Sequence, residues 1–251
     1  TGAVIYKDEN QARGLFVNSA NLIDQLPTNT EERIQKTEEL KIEMQKSMDD
    51  IRHLVNVPNP ALLGDLSSVT DGVFGQSFVK VGSDIYVFAT DGRIYQLDRT
   101  QKVFKPASVQ ETNARVSLSA SADKDKVFSL TDNNVVSQFI KDETAQKPIS
   151  LEPIEGKWVD LLAYANRLYI LTQTETDGQV YRYGRSGDGF GAPAKWIASK
   201  TTSLKDARSF TIDGTVFVLM KNGKIGRFVS GSEVGWETGI VDPPITNATD
   251  I

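Results

Sequence analysis

The chain has no cysteine, a single histidine, no run of basic residues and no long apolar segment. Without cysteine there are no disulfides, no thiol nucleophile and no thiolate metal site, although the redox compartment stays open. One histidine, His53, rules out a histidine-rich zinc site. A Ser-His-Asp triad would have to draw on it from a helical stretch, where a helix-end role suits a partly cationic imidazole. The formal charge of −5 and the lack of a basic stripe argue against a nucleic-acid partner. No apolar run approaches the roughly 18 to 20 residues of a membrane span, and the first residues lack the charged and apolar regions of a signal peptide. A start at Thr1 reads as a mature product or an excised segment, with any membrane anchor lying upstream.

What is present is enough for a folded core: 251 residues, 39% of them apolar. At the front, Leu15, Phe16, Leu22, Ile23 and Leu26 recur at helical spacing over Tyr6–Leu26, and Pro27 ends the pattern. Thr28 and Glu31 are spaced as a capping box for a second helix running to about Val55. Its stripe is Ile34, Leu40, Met44, Met48, Ile51 and Val55, with Glu32 and Lys36 placed to pair on the wet face. These predict a helical hairpin or short coiled coil over 1–57, acting as a spacer, a docking element, a dimerising element or a cap. Asn56, Pro58, Asn59, Pro60 and Gly64 mark the boundary.

From residue 58 onward one unit recurs: an apolar strand carrying an aromatic residue, a polar turn, then an alternating strand. Tyr86, Phe128, Tyr169 and Phe217 fall 42, 41 and 48 residues apart, the period of a four-stranded blade. The predicted strands of the first repeat are Gln76–Val81, Ile85–Thr90, Arg93–Leu97 and Lys102–Ala107. Those of the second are Arg115–Ala120, Lys126–Thr131, Val135–Ile140 and Pro148–Pro153. The third has Val159–Tyr164, Arg167–Thr172, Gln179–Tyr183 and Ala194–Ala198, and the fourth Arg208–Ile212, Thr215–Met220, Lys224–Val229 and Val234–Thr238. Asp91-Gly92, Asp132-Asn133-Asn134, Asp177-Gly178 and Asn222-Gly223 occupy the turns between middle strands, where positive φ is required. Trp196 and Trp236 are expected to fill space between blades.

Thr246-Asn247-Ala248 repeats Thr112-Asn113-Ala114, so the chain is expected to end as a fifth blade begins, and Leu62–Val69 to donate an outer strand. The fold class is therefore an all-β propeller of four recognisable blades preceded by an α-helical hairpin. The ring is incomplete unless four blades close alone or two chains associate. In blade length and strand pattern, residues 62–251 resemble the WD40- and YVTN-like β-propeller superfamily, without its Gly-His, Trp-Asp or Tyr-Val-Thr-Asn signatures. The helical hairpin ahead of a cysteine-free propeller is similar to extracytoplasmic regions of uncharacterised bacterial membrane proteins. That resemblance implies a binding scaffold in the cell envelope, anchored by a segment outside this one.

The remaining motifs have ordinary explanations. Gly184-Arg-Ser-Gly187-Asp188-Gly189-Phe190-Gly191 has the glycine content of a phosphate loop, but it joins two strands and opens no helix, so it reads as a hairpin. Asp123-Lys-Asp125 and Asp142-Glu143 lack the spacing of a calcium loop and read as exposed tips, and Asn247-Ala-Thr249 is a chance glycosylation pattern. No cofactor is implied. Arg115, Lys157, Lys205 and Arg208 stand near the starts of inner strands, so they are expected to gather as a cationic ring at one channel mouth, receiving an acidic peptide or glycan. The functional expectation is a non-enzymatic interaction module with a protein or glycan partner. The alternatives are a carboxylate-dependent glycosidase or lyase, using acids such as Asp71, Asp160 and Asp206, and a chain in which the helices are the working part.

Overall fold

The computed structural model describes residues 9–51, 57–69, 71–109, 117–141, 145–236 and 248–251. The chain divides into a helical unit within residues 1–61 and a sheet unit beginning at Leu62.

In the helical unit, α1 (Glu9–Asp24) and α2 (Glu31–Ile51) pack as a hairpin. The N-cap of α2 is Thr30, two residues beyond the expected Thr28, because the Thr30 hydroxyl accepts the Arg33 amide at 3.4 Å. Lys36 pairs with Glu39 at 3.0 Å, not with Glu32, and Lys41 bridges to Asp24 at 2.9 Å across the two helices. The expected stripes are only partly covered: Phe16, Ile23, Leu40 and Met44 are half-buried, whereas Leu15, Leu22, Leu26 and Ile34 are exposed. No described helix is long and apolar enough to cross a membrane.

The sheet unit is built of four antiparallel four-stranded meanders. The first is β1 (Gly75–Val81), β2 (Asp84–Ala89), β3 (Arg93–Asp98) and β4 (Val103–Val109). The second is β5 (Ser117–Asp123), β6 (Lys126–Thr131), β7 (Val136–Ile140) and β8 (Lys147–Pro148). The third is β9 (Lys157–Tyr164), β10 (Arg167–Gln173), β11 (Gly178–Ser186) and β12 (Gly189–Lys195); the fourth is β13 (Ala207–Ile212), β14 (Val216–Met220), β15 (Ile225–Val229) and β16 (Ser232–Val234). The inner strands pack in chain order, β1 on β5, β5 on β9 and β9 on β13. Among the described residues no comparable packing returns β13 to β1, so the sheets form an open arc of propeller blades.

Three core clusters lie between consecutive sheets, and a fourth lies between the first sheet and the segment carrying Leu66, Val69 and Val73. In the second and third sheets the second strand has a neighbouring sheet on each side, which explains a nearly continuous apolar run such as Leu168–Leu171, while in the first sheet Ala89 and Tyr95 are covered by Val73, Leu66 and Val69. The repeating aromatic of one sheet packs forward onto the next: Tyr86 meets Phe139 edge-on at 5.3 Å, Phe128 meets Phe190 at 5.7 Å, and Tyr169 enters the cluster with Val216 and Phe228. Its fourth equivalent, Phe217, has no following sheet and takes the ring of Trp236 at 5.6 Å. Trp236 is thus 39% exposed instead of filling a gap between blades, while Trp196 packs against the cluster between the third and fourth sheets.

The glycine-rich stretch is the tip of the β11–β12 hairpin, which starts the outer strand five residues earlier than expected. Arg185 lies 4.4 Å from the Phe190 ring and 5.4 Å from Phe128, closing the joint between the second and third sheets. The second outer strand is shorter than predicted, only Lys147–Pro148. Leu62–Val69 is no regular strand: Asp65 makes one parallel bridge to Val103, as Ser199 does to Ser232 in the fourth sheet.

Candidate functional site

Each inner strand carries one extra residue where it pairs with its second strand. Gln76, Leu118, Val159 and Arg208 are these bulged residues, at the same place in all four sheets. A bulge bends a strand and re-aims the residues beside it. The next positions are Ser77, Ser119, Asp160 and Ser209, 42, 41 and 49 residues apart, and Asp250 follows Ser209 by 41. This recurrence of serine or aspartate was available in the sequence, but it is masked there by the stronger aromatic repeat.

Where the inner strands converge they line an axial cavity of about 380 Å³, bordered by Gln76, Ser77, Phe78, Asp160, Arg208 and Ser209, with Thr249 and Asp250. Asp160 joins two sheets there. Its carboxylate accepts the Leu161 amide at 2.8 Å, the Ser209 hydroxyl at 2.8 Å and the Phe210 amide at 2.9 Å. The Ser209 oxygen also lies against the Asp250 carboxylate, so its single proton is shared between the two acids; Asp250 accepts the Ile251 amide at 2.8 Å, and Arg208 donates to the Ala248 carbonyl at 3.2 Å. Residues 248–251 therefore lie along β13, held by the same kind of hydroxyl and carboxylate contact that ties the third sheet to the fourth. The expected fifth-blade entry at Thr246-Asn247 falls outside the described residues.

Among the described residues, the cations expected to form a ring border different places. Arg208 lines the axial cavity, Lys157 is exposed at the start of β9 and is not in that lining, and Arg115 lies outside the described residues. Lys205 borders a separate cavity of about 580 Å³ on the fourth sheet, made by the 199–206 loop, the β14–β15 turn and the strand ends at Glu233 and Trp236. Asp206 borders that same cavity, and Asp71 is exposed and borders neither. The second carboxylate beside Asp160 is Asp250, which residue-by-residue reading of the inner strands does not reach. His53 and Asp142-Glu143 lie outside the described residues. Asp123-Lys124-Asp125 forms the tight β5–β6 turn, with Lys124 at φ 59°.

Beside the larger cavity the 199–206 loop is clamped by two carboxylates. Glu233 accepts the amides and hydroxyls of both Thr201 and Thr202. Burial alone would raise its pKa, but the Thr202 and Thr201 donors outweigh it and bring the group down to about 2. Asp177 accepts Lys200 Nζ at 2.7 Å and the Leu204 amide at 3.0 Å; these outweigh burial and hold its carboxyl below the usual range. The turn at Asp177 differs from its three counterparts. Gly92, Asn134 and Gly223 take positive φ, whereas Gly178 does not. A Cβ there would lie 2.6 Å from the Leu204 carbonyl and 2.7 Å from that of Thr172, so close approach of backbone requires the glycine.

Among the described residues no three His, Cys, Asp or Glu side chains gather closely enough to hold a metal ion. No protein-family model matches the chain, and no curated protein matches it. Among solved structures it is similar to a structural genomics protein of unknown function from Bacteroides thetaiotaomicron, with 12% identity, 62% of this chain and 45% of that chain covered, and a TM-score of 0.50. It is also similar to YCF48 solved with a bound D1 peptide, at 11% identity over 64% of this chain and 56% of that one, TM-score 0.48. The WD40 β-propeller domain of Doa1 gives 12% identity over 67% and 55%, TM-score 0.46. The chain spans about half the length of these three proteins, and the likeness is one of fold alone: an arc of four-stranded propeller blades.

Proposed function

We propose that this diverged propeller arc is a non-enzymatic interaction module that receives a segment of a partner protein at its axial cavity, with the helical hairpin as a spacer or docking element. The observation that carries the reading is the convergence of bulged inner strands on one open cavity. There the Phe78 ring, 68% exposed, stands beside the polar groups of Gln76, Ser77 and Arg208. An apolar ring with a few convergent polar groups suits a peptide better than a small polar metabolite. Most strongly placed groups at the axis already serve the fold, since Asp160 and Ser209 hold sheets together.

One observation favours a second reading. Asp160 and Asp250 both contact the Ser209 hydroxyl, which brings them near the ~5 Å separation used by retaining glycosidases. Against it, both carboxylates are occupied by backbone amides. A panel of nitrophenyl glycosides separates the two: turnover abolished by Asp160→Asn and by Asp250→Asn would favour the enzyme. For the binding reading, a photo-crosslinking residue at position 78 should capture a discrete partner from native extract. Adding Arg208→Ala should reduce that capture strongly. Capture that is unchanged, or equal from an exposed position on the opposite end such as Lys124, would refute it.

A further inference from the structure

The larger cavity on the fourth sheet carries charge of a sign opposite to that of the chain. The molecule is formally −5, yet this cavity is bordered by five cations and only two carboxylates. The carboxylates are committed: Glu233 to the Thr201 and Thr202 donors, Asp206 to Lys221 at 3.6 Å. Lys200 is likewise committed to Asp177. That leaves Lys205, Lys224 and Arg227 with no carboxylate partner among the described residues. Arg227 adds a separate sign of a missing acceptor, because its Nε is buried and makes no hydrogen bond. A buried guanidinium N–H without an acceptor costs free energy, and the rest of the Arg227 guanidinium borders the cavity with no carboxylate among the described residues to neutralise it. Beside it the Trp236 ring is 39% exposed, offering a face to a peptide group or an aromatic side chain.

We infer that this cavity binds an acidic peptide segment, with side-chain carboxylates on Lys205, Lys224 and Arg227 and its backbone against Trp236. An extended nucleic acid fits less well, because it would run beyond a cavity of about 580 Å³ onto a surface of net negative charge. The site is separate from the axial cavity, and the inference does not depend on what binds there.

The test uses the full chain and three probes: hexaglutamate, inorganic phosphate and a short oligothymidylate, followed by calorimetry and by tryptophan fluorescence. Hexaglutamate should bind saturably, more weakly as salt rises. The Lys205→Glu/Lys224→Glu variant should weaken it by at least about tenfold. Both lysines are exposed, so their reversal leaves the fold intact. Trp236→Phe should abolish most of the fluorescence response. Phe78→Ala/Arg208→Ala, at the axis, should leave hexaglutamate binding unchanged, so failure of one site does not count against the other. Absence of saturable binding, undiminished binding by the charge-reversed variant, or equal binding of phosphate or oligothymidylate would each overturn the inference.

Discussion

Replacing Glu233 by glutamine tests whether the carboxylate clamp on the 199–206 loop is a charge effect or a matter of shape. The carboxylate collects four donors from Thr201 and Thr202, and its folded pKa of about 2 lies below an ordinary value of 4.5. Each pH unit between the two is worth about 1.4 kcal/mol, so the full difference is about 3 kcal/mol. Solvent reaches the group, which reduces the expected contribution to about 1 to 2 kcal/mol. Because the folded pKa is depressed, this stability is fully present above about pH 4.5 and is lost as pH falls towards 2. Glutamine keeps the shape and one acceptor oxygen but gives up the charge. At pH 7, Glu233→Gln should therefore lower the thermal midpoint by about 3 to 6 °C, and the gap to the wild type should close between pH 4.5 and 2. Differential scanning fluorimetry across that range is sufficient. An equal gap at pH 7 and pH 2.5 would mean that packing, not charge, holds the loop, and no gap at pH 7 would refute the clamp altogether.

Asp160→Ala removes the acceptor of the Ser209 hydroxyl and the Phe210 amide, and should cost about 2 to 3 kcal/mol in urea unfolding, with faster amide exchange at Phe210; unchanged exchange there would show that the contact does not join the sheets. Gly178→Ala forces a Cβ against two carbonyl oxygens and should cost about 2 kcal/mol or more, whereas Gly184→Ala, with no atom within 4 Å, should stay within about 0.5 kcal/mol. Equal midpoints for the two alanine variants would contradict the close approach.

The strand pattern was legible because two demands coincide: the second strand of each sheet is largely buried, and the turn after it needs a small or positive-φ residue, for φ at Gly92, Asn134 and Gly223 and for close backbone approach at Gly178. The α2 start was misplaced because Thr28 and Thr30 both satisfy the composition of a cap, and only backbone geometry decides which hydroxyl reaches an amide. The third outer strand was missed at its start because Gly189-Phe-Gly191 has weak strand propensity and is held by pairing with β11 and by the Phe190–Phe128 contact. Grouping Lys205 with Arg208 overlooked a related point. Position near a strand start does not say which side of a bulge a residue occupies, and Lys205, three residues before Arg208, turns to a different cavity. Asp250 escaped notice because its role depends on the chain returning to β13, a contact that short-range spacing does not reveal.

The order in which the inner strands pack has a consequence for how disturbance travels. Among the described residues the strong packing runs from each sheet to the one before and the one after it, so coupling between distant sheets passes chiefly through the joints between them. The joints differ in kind. The third and fourth sheets share a large apolar cluster and the Asp160 clasp, whereas the first and second rest on a smaller cluster around Tyr86 and Phe139. Unfolding of this arc is therefore expected to be graded along the chain, a lesion at one joint loosening the sheets on its two sides from each other before either loses its own strands.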